Sequence, residues 1–467
     1  MSTIKFGTDG WRAIIADEYT VDNVMRVAEA TARWVMKNND KASVVVGYDC
    51  RFGGKMFSET VAKVLAYYNI KVFLTDNFVS TPMISLGVVR HKATLGVIIT
   101  ASHNPASYNG YKLKGPYGGP LLEKNVKEIE ELIQDSPTVD VKSINLAELL
   151  KKKAVEYTDL ETMYCKHVEK NFDLKLIQKS GLRLGYDSMY GAGQNVIRRL
   201  FPDATLLHCV NNPSFGGTAP EPIERNLQEF ETLIKKSKKI DVGLATDGDA
   251  DRIGLYNGKG YFVDSHNIIL LLINYLVTYK KMKGEVCVAF SVTERLKKMC
   301  AHYNIPLQVT KIGFKYICGV MITEDVLLGG EESGGIAIKG HIPERDGIWI
   351  GLTIIEYMAR TGKSLDDLIK EVTKITGKFA YKRIDLHLTE EKKQTILKNC
   401  RENKYTTFGK HKVSKIEDLD GYKYFFNDYE WLMLRASGTE PVLRVYAEAG
   451  SDAEADRILA DASKVLA

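Results

Sequence analysis

One unit of strand, helix and strand recurs three times along this chain, and that repetition limits the fold more than any other feature of the sequence. Short β-branched runs predict strands over 43–47, 71–74 and 93–100, with a helix over 55–68 between the first two. The order returns with strands over 182–186, 204–207 and 240–246, where Gly191-Ala192-Gly193 opens the helix. It returns again over 285–290, 306–310 and 326–329, with a helix over 293–302. Strands alternating with helices are the mark of parallel sheets covered on their faces, so the expected fold class is α/β, as three similar sandwich domains with mixed or parallel sheets. Even the end of the first strand repeats, as Gly47-Tyr48-Asp49 and Gly185-Tyr186-Asp187.

A chain of 467 residues exceeds one core and predicts about three or four domains. A charged linker over 140–153, a hairpin at Asn257-Gly258 and the stretch 373–382 place boundaries that give domains 1–145, 146–256, 257–372 and 373–467. In the last of these, alternating segments at 422–426, 431–434 and 442–447 and a closing helix from Asp452 predict a smaller α+β module. With 45% hydrophobic and 26% charged residues, the composition excludes disorder, collagen-like repeats and coiled coil as global descriptions. A net charge of +5 with no Lys/Arg block argues against nucleic-acid and membrane partners and leaves anionic small molecules. Seven cysteines without a CxxC pair suit neither a disulfide framework nor a zinc site, and the N-terminal residues lack the pattern of a signal peptide. A cytoplasmic monomer or dimer is the expectation. The longest apolar stretch, 268–277, is interrupted by Asn274 and too short to cross a bilayer, so it reads as a buried helix.

Each block's third strand runs into an unusual polar segment: TASHNP, TDGDADR and GGEESGG in turn. Ligands of open α/β sheets bind beyond the carboxyl ends of strands, so the three segments are expected to face one shared cleft. In the second, Asp247, Asp249 and Asp251 alternate with Gly248 and Ala250. Residues two apart in an extended segment share a side, which would bring three carboxylates together around a cation. All-oxygen ligands suit a hard ion such as Mg²⁺. An EF-hand fails, because Arg252 stands where its loop needs Gly and Gly258 where it needs Glu. The plainer alternative is an acidic turn paired with Arg252.

Ser102, just beyond a buried strand and between Ala101 and Pro105, is placed to act as a nucleophile, although the glycines of a GxSxG elbow are absent. A turn with Ser102 as a helix cap accounts for the spacing equally well. His103 is a catalytic candidate, yet neighbouring side chains generally diverge, which argues against a Ser-His dyad. Lys112, in Tyr108-Asn109-Gly110-Tyr111-Lys112, returns an ammonium to the same loop, where it could move protons or neutralise phosphate. Glu331 and Ser333, two apart between glycines, could share a face and hold vicinal hydroxyls; a Gly-rich turn capped by Ser is the alternative. Arg435-Ala436-Ser437-Gly438-Thr439-Glu440-Pro441, with Arg444 nearby, groups a guanidinium, hydroxyls and accessible backbone N–H groups as a phosphate cradle; the alternative is a loop with a surface Arg.

In this order, and with Phe6-Gly7-Thr8-Asp9-Gly10 ahead of them, the four segments resemble the α-D-phosphohexomutase family of phosphoglucomutases, phosphomannomutases and phosphoglucosamine mutases, over essentially the whole chain. The resemblance implies three similar α/β domains and a smaller C-terminal domain around a central cleft. It implies that Ser102 carries a phosphoryl group and that Asp247, Asp249 and Asp251 hold Mg²⁺ against it. Arg12 and Lys112 would lie beside the reacting hydroxyl, with Arg252 adding charge. Glu331 and Ser333, with Gly313-Phe314-Lys315, would bind the sugar, and Arg435, Ser437, Gly438 and Thr439 its phosphate. The implied reaction moves phosphate reversibly between C1 and C6 of a hexose through phosphoserine and a hexose 1,6-bisphosphate. Glu332 between Glu331 and Ser333, and the Gly313-Phe314-Lys315 loop, resemble glucose-type members. Gly335 replaces a histidine common in dual-specificity and aminosugar members, whereas Gly438-Thr439-Glu440-Pro441 is widespread in the aminosugar branch. Glucose phosphate is the expected substrate, with mannose or glucosamine phosphate as alternatives. A serine-dependent metal phosphatase and a non-catalytic sugar-phosphate sensor are the rival classes.

Overall fold

The computed structural model describes residues 4–39, 41–436 and 442–466. In the first sheet, Ser43–Tyr48 pairs in parallel with Lys71–Leu74 on one side and Leu95–Ile99 on the other. Tyr108–Lys114 then runs antiparallel to Leu95–Ile99, and Trp11–Ile14 and Val155–Tyr157 form the two edges. The second sheet repeats the plan: Leu184–Asp187 lies between Thr205–Leu207 and Val242–Thr246 in parallel, followed by antiparallel Ile253–Asn257. In the third, Glu285–Ala289 lies between Leu307–Thr310 and Val326–Gly330, followed by antiparallel Ile336–Ile338.

All three sheets are mixed, within the expected class of mixed or parallel α/β sandwich domains. Each polar segment is the connection of an antiparallel hairpin, so the chain leaves the sheet at the strand's carboxyl end and returns at once beside it. The reversing strands are short or poor in β-branched residues: Tyr108–Lys114 has none, Ile253–Asn257 has one, and Ile336–Ile338 is only three residues long.

Burial explains the continuous apolar runs. Val45 and Ile98 face one core, while Val44, Val46, Val97 and Ile99 face another. Both faces of the first sheet are thus covered, and the usual apolar and polar alternation disappears. The first of these cores continues without a break through Val196 and Leu244 to Ile269 and Leu328, joining all three α/β units. Helix Ser265–Thr278 supplies much of it and is buried throughout Ile268–Leu276. Its interior Asn274 is satisfied, donating 2.7 Å to Tyr357 Oη and accepting from Tyr303 Oη.

The C-terminal unit is an antiparallel sheet in the order Ala380–His387, Val442–Ala449, Trp431–Ala436, Tyr422–Phe425 and Lys415–Glu417, backed by helix Asp452–Leu466. It has its own core. A small cluster of Phe290, Phe425, Trp431, Met433 and Tyr446 fastens it to the third sheet. Among the described residues no helix is long and apolar enough to cross a membrane. All seven cysteines are free and buried.

Candidate active site

The hairpin loops of the first two sheets meet face to face. Ser102 follows strand Leu95–Ile99 with φ of 51°, in the left-handed region that a residue with a Cβ rarely occupies. No helix starts after it, so the capping reading of Ser102 is set aside. Its hydroxyl donates a 2.7 Å hydrogen bond to Asp247 Oδ2 in the second domain. The approach requires Gly248, because a Cβ there would lie 2.5 Å from Ser102 O.

The aspartates do converge, but by a turn and not by extended alternation. Ala250 adopts φ of 57° and its N–H donates to Asp247 O, folding the loop back on itself. All three side chains are buried, with one ligand oxygen of each within 4.8 Å of the others. The cation pairing them is chiefly Lys112: its Nζ lies 2.7 Å from Asp249 Oδ2, 3.1 Å from Asp251 Oδ2 and 2.8 Å from Asp9 Oδ2. Arg345 closes the same network at 2.5 Å from Asp9 Oδ2 and 2.7 Å from Asp251 Oδ2. Arg252 stands farther off, at 4.0 Å from Asp251, and instead donates its backbone N–H to Asp247 Oδ1. The plain acidic turn paired with Arg252 therefore does not describe this loop.

The ordering of the oxygens is informative. Lys112 takes the Oδ2 atoms, while the buried Oδ1 atoms of Asp249 and Asp251 have no hydrogen-bond partner. Burial, then the charges of Asp251 and Asp249, push the Asp247 carboxyl well above its ordinary range. Burial would raise Asp249 too, but the Lys112 ammonium and the Thr81 hydroxyl outweigh it and hold that carboxyl low. Orphaned buried oxygens and a third carboxyl that resists ionisation are what a hard divalent cation would satisfy, so the residues fit one.

Around this centre, Arg12 donates 2.6 Å to Asn104 Oδ1 and lies 3.9 Å from Asp9. His103 does not diverge from Ser102: its Nδ1 is 3.4 Å from Ser102 Oγ, because the left-handed backbone turns both side chains to one side. Burial and the surrounding Arg252, Arg12, Lys112 and Arg51 hold the imidazole well below its usual pKa, so it is neutral at pH 7. For Lys112, burial is outweighed by Asp249, Asp251 and Asp9, which push its pKa up and keep it an ammonium.

The third loop reaches the site from the other side. Glu331 is buried and accepts a 2.9 Å hydrogen bond from Gly313 N, and burial pushes its carboxyl up to about 7 against the pull of Arg345. Ser333 occupies the following turn, half-buried, and Glu332 turns instead to Ser291 Oγ at 2.8 Å. A side chain at Gly335 would meet Arg345 Cδ at 2.5 Å, so the arginine stem fills that space. Lys315 lies 3.6 Å from Glu123. Arg435 Nε is 3.4 Å from Asp420 Oδ1, and Arg444 is its partner on the adjacent strand. The expected phosphate-binding Ser437, Gly438 and Thr439 lie outside the described residues.

Asp9, Thr81, Arg51 and Arg345 were not singled out by sequence. Asp9 sits within the Phe6–Gly10 motif, whereas the single Arg345 ahead of helix Gly347–Thr361 carries no local signal.

Comparison with known proteins finds relatives along the whole chain. Four family models cover the chain: phosphoglucomutase/phosphomannomutase α/β/α domain I over residues 3–139, domain II over 162–260, domain III over 264–375 and the C-terminal domain over 388–465. A phosphoglucomutase/phosphomannomutase of Thermococcus kodakarensis is 29% identical, over 99% of this chain and 98% of its own length. A phosphoglucosamine mutase of Clostridium perfringens is 30% identical, over 99% and 98%. The crystal structure of a phosphomannomutase candidate from Thermus thermophilus superposes with a TM-score of 0.87 at 32% identity, covering 100% of this chain and 99% of that one. The chain belongs to the α-D-phosphohexomutase family, isomerases with mutase activity.

Proposed function

We propose that this protein interconverts glucose 1-phosphate and glucose 6-phosphate, with Ser102 Oγ as the carrier of the phosphoryl group. The observation that supports it is the 2.7 Å approach of Ser102 Oγ to Asp247 across a domain boundary, beside the Lys112 ammonium. Asp247, Asp249, Asp251 and the serine oxygen would hold Mg²⁺. When bound, the ion neutralises charge on the phosphoryl oxygens.

The chain's own groups divide the remaining work. Phosphorylated Ser102 gives its phosphoryl group to the C6 hydroxyl of glucose 1-phosphate; the P–Oγ bond breaks and the P–O6 bond forms. The proton of the C6 hydroxyl leaves O6, and Ser102 Oγ takes up a proton and is freed as a hydroxyl. Neutral His103, 3.4 Å from Oγ, is placed to pass that proton. The glucose 1,6-bisphosphate then turns over and returns its C1 phosphate to Ser102, leaving glucose 6-phosphate. Lys112, held as an ammonium, and Arg12 act as fixed positive charges and not as bases. Arg435 and Arg444, with Ser437, Gly438 and Thr439, would hold the phosphate that is not reacting. Glu331 and Ser333, with Gly313 and Lys315, would hold the sugar hydroxyls. Burial of Ser102 and its partners keeps water from the phosphoserine, which would otherwise be hydrolysed.

Glucose is favoured by the resemblance of Glu332 between Glu331 and Ser333 to glucose-type members; mannose and glucosamine phosphate are the alternatives, and the relatives carry names of all three kinds. A coupled assay of glucose, mannose and glucosamine 1-phosphates, each primed with its bisphosphate, tests the reading. Glucose 1-phosphate is expected to turn over fastest. Faster turnover of either rival would reassign the hexose, and steady release of inorganic phosphate without any bisphosphate requirement would mark a phosphatase instead.

A further inference from the structure

We propose that Arg51, acting with Asp49 and Thr100, is a positioning residue that fixes Ser102 in its left-handed conformation and so aims Oγ at the aspartate loop; this rests on the phosphate-carrier reading of Ser102. The Arg51 side chain is fully buried just beyond strand Ser43–Tyr48. Its Nη1 donates to Pro105 O at 2.8 Å and Tyr108 O at 3.1 Å. Its Nη2 donates to Ser102 O at 2.5 Å and Asn104 O at 2.6 Å. One guanidinium thus gathers four carbonyls of the loop that carries the serine, a span only its planar fork of donors can reach.

The other side of Ser102 is held as well. Asp49 Oδ2 lies 3.3 Å from Arg51 Nε and accepts a 2.5 Å hydrogen bond from Thr100 Oγ1, which in turn accepts Ser102 N–H at 2.9 Å. The N–H and C=O of the strained residue are both pinned to one buried network. A residue at φ of 51° relaxes towards the broad allowed regions unless its surroundings forbid it, and that rotation would carry Oγ away from Asp247. Phe215 of the second domain covers the guanidinium at 4.9 Å.

The repeat supplies an internal control. In the second block Asp187 Oδ1 accepts Met189 N at 2.7 Å, as Asp49 Oδ1 accepts Arg51 N at 2.9 Å. Met189 stands where Arg51 does, and Ala245, paired with Asp187 where Thr100 follows the Tyr48–Ile99 pair, has no hydroxyl to serve a following N–H. The strand-end turn therefore forms without an arginine. The guanidinium is present in the block whose loop carries Ser102 and absent from the second.

The test is single-turnover transfer of phosphate from glucose 1,6-bisphosphate to Ser102 in the full-length protein with Mg²⁺, followed by mass spectrometry, together with the bisphosphate dissociation constant. R51K keeps the charge and the Asp49 partner but cannot span four carbonyls; T100V removes the hydroxyl that holds Ser102 N–H at nearly constant shape. In each folded variant transfer is expected to slow about 100-fold, as for a displaced reacting group, with affinity changed by less than about twofold. If R51K fails to fold, T100V decides. Wild-type transfer rates in the folded variants, or equal losses of rate and affinity, would overturn the positioning role while leaving Ser102 as carrier. No phosphate on Ser102 of the wild-type protein would overturn both.

Discussion

Ser102 Oγ and Asp247 Oδ2 are 145 residues apart in sequence and 2.7 Å apart in space, each at the tip of a hairpin from a different domain. The hydroxyl proposed to carry phosphate and the loop proposed to hold the metal meet because Gly248 leaves room for Ser102 O. Ser102→Ala removes the hydroxyl and little else. Mutase turnover is expected to fall by at least about 10⁴-fold, while the thermal melt and the binding of glucose 6-phosphate, read by calorimetry, stay near wild type.

Lys112 is the main counter-charge of buried Asp249 and Asp251 and of half-buried Asp9. Lys112→Met would leave Asp9 and Asp251 to Arg345 and Asp249 to the Thr81 hydroxyl, which carries no charge. Breaking a buried pair on one side costs about 3–5 kcal/mol. The variant is expected to melt lower by that amount in chelator, to recover part of the loss on adding Mg²⁺, and to lose activity under both conditions. Equal melting of the two proteins in chelator would contradict the pairing.

Glu331 gives the fold a readable pH dependence. Its folded pKa of about 7 lies above the ordinary 4.5, so its contribution to stability is present below about pH 4.5 and is lost as pH rises through 7. The span corresponds to about 3 kcal/mol. Glu331→Gln, uncharged and of similar shape, is therefore expected to melt higher than wild type at pH 8 and to lose that advantage at pH 5. A sugar-binding role for Glu331 adds that the variant's KM for glucose 1-phosphate rises although its fold is stronger. A constant difference in melting temperature across this range would contradict the burial argument.

Asp420 links the C-terminal unit to the third-domain loop, accepting Ile312 N at 2.8 Å with one oxygen and lying 3.4 Å from Arg435 with the other. The C-terminal core is separate from the shared core of the other three units, so this unit is the one expected to move as a body about its joint at Phe290, Phe425 and Trp431. Solution scattering is expected to show a more compact particle with glucose 1,6-bisphosphate than without it. Asp420→Ala is expected to raise KM several-fold with kcat little changed. Identical scattering profiles would count against closure.

Much of this arrangement is legible in the residues themselves. The three strand blocks, the aspartate loop and Ser102 at a strand end all follow from short-range patterns that the folded chain repeats in place. Two kinds of feature do not. Tyr108–Lys114 lacks the β-branched run of its neighbours, because Gly110 and two lysines are placed there for the site and not for the sheet. The turn at Ala250 and the left-handed Ser102 are imposed by tertiary contacts, which is why alternation gave the right convergence for the wrong reason and why His103 reaches Ser102. Arg51 and Arg345 act through partners far away in sequence, Arg51 on the 102–108 loop and Arg345 on Asp9, so no local spacing announces them.

The most direct measurement is the covalent state of Ser102 during turnover. Wild-type protein incubated with Mg²⁺ and glucose 1,6-bisphosphate, digested and mapped by mass spectrometry, is expected to carry one phosphoryl group on Ser102, removed again by excess glucose 1-phosphate. Continued interconversion of the sugar phosphates with Ser102 unmodified throughout would contradict the account.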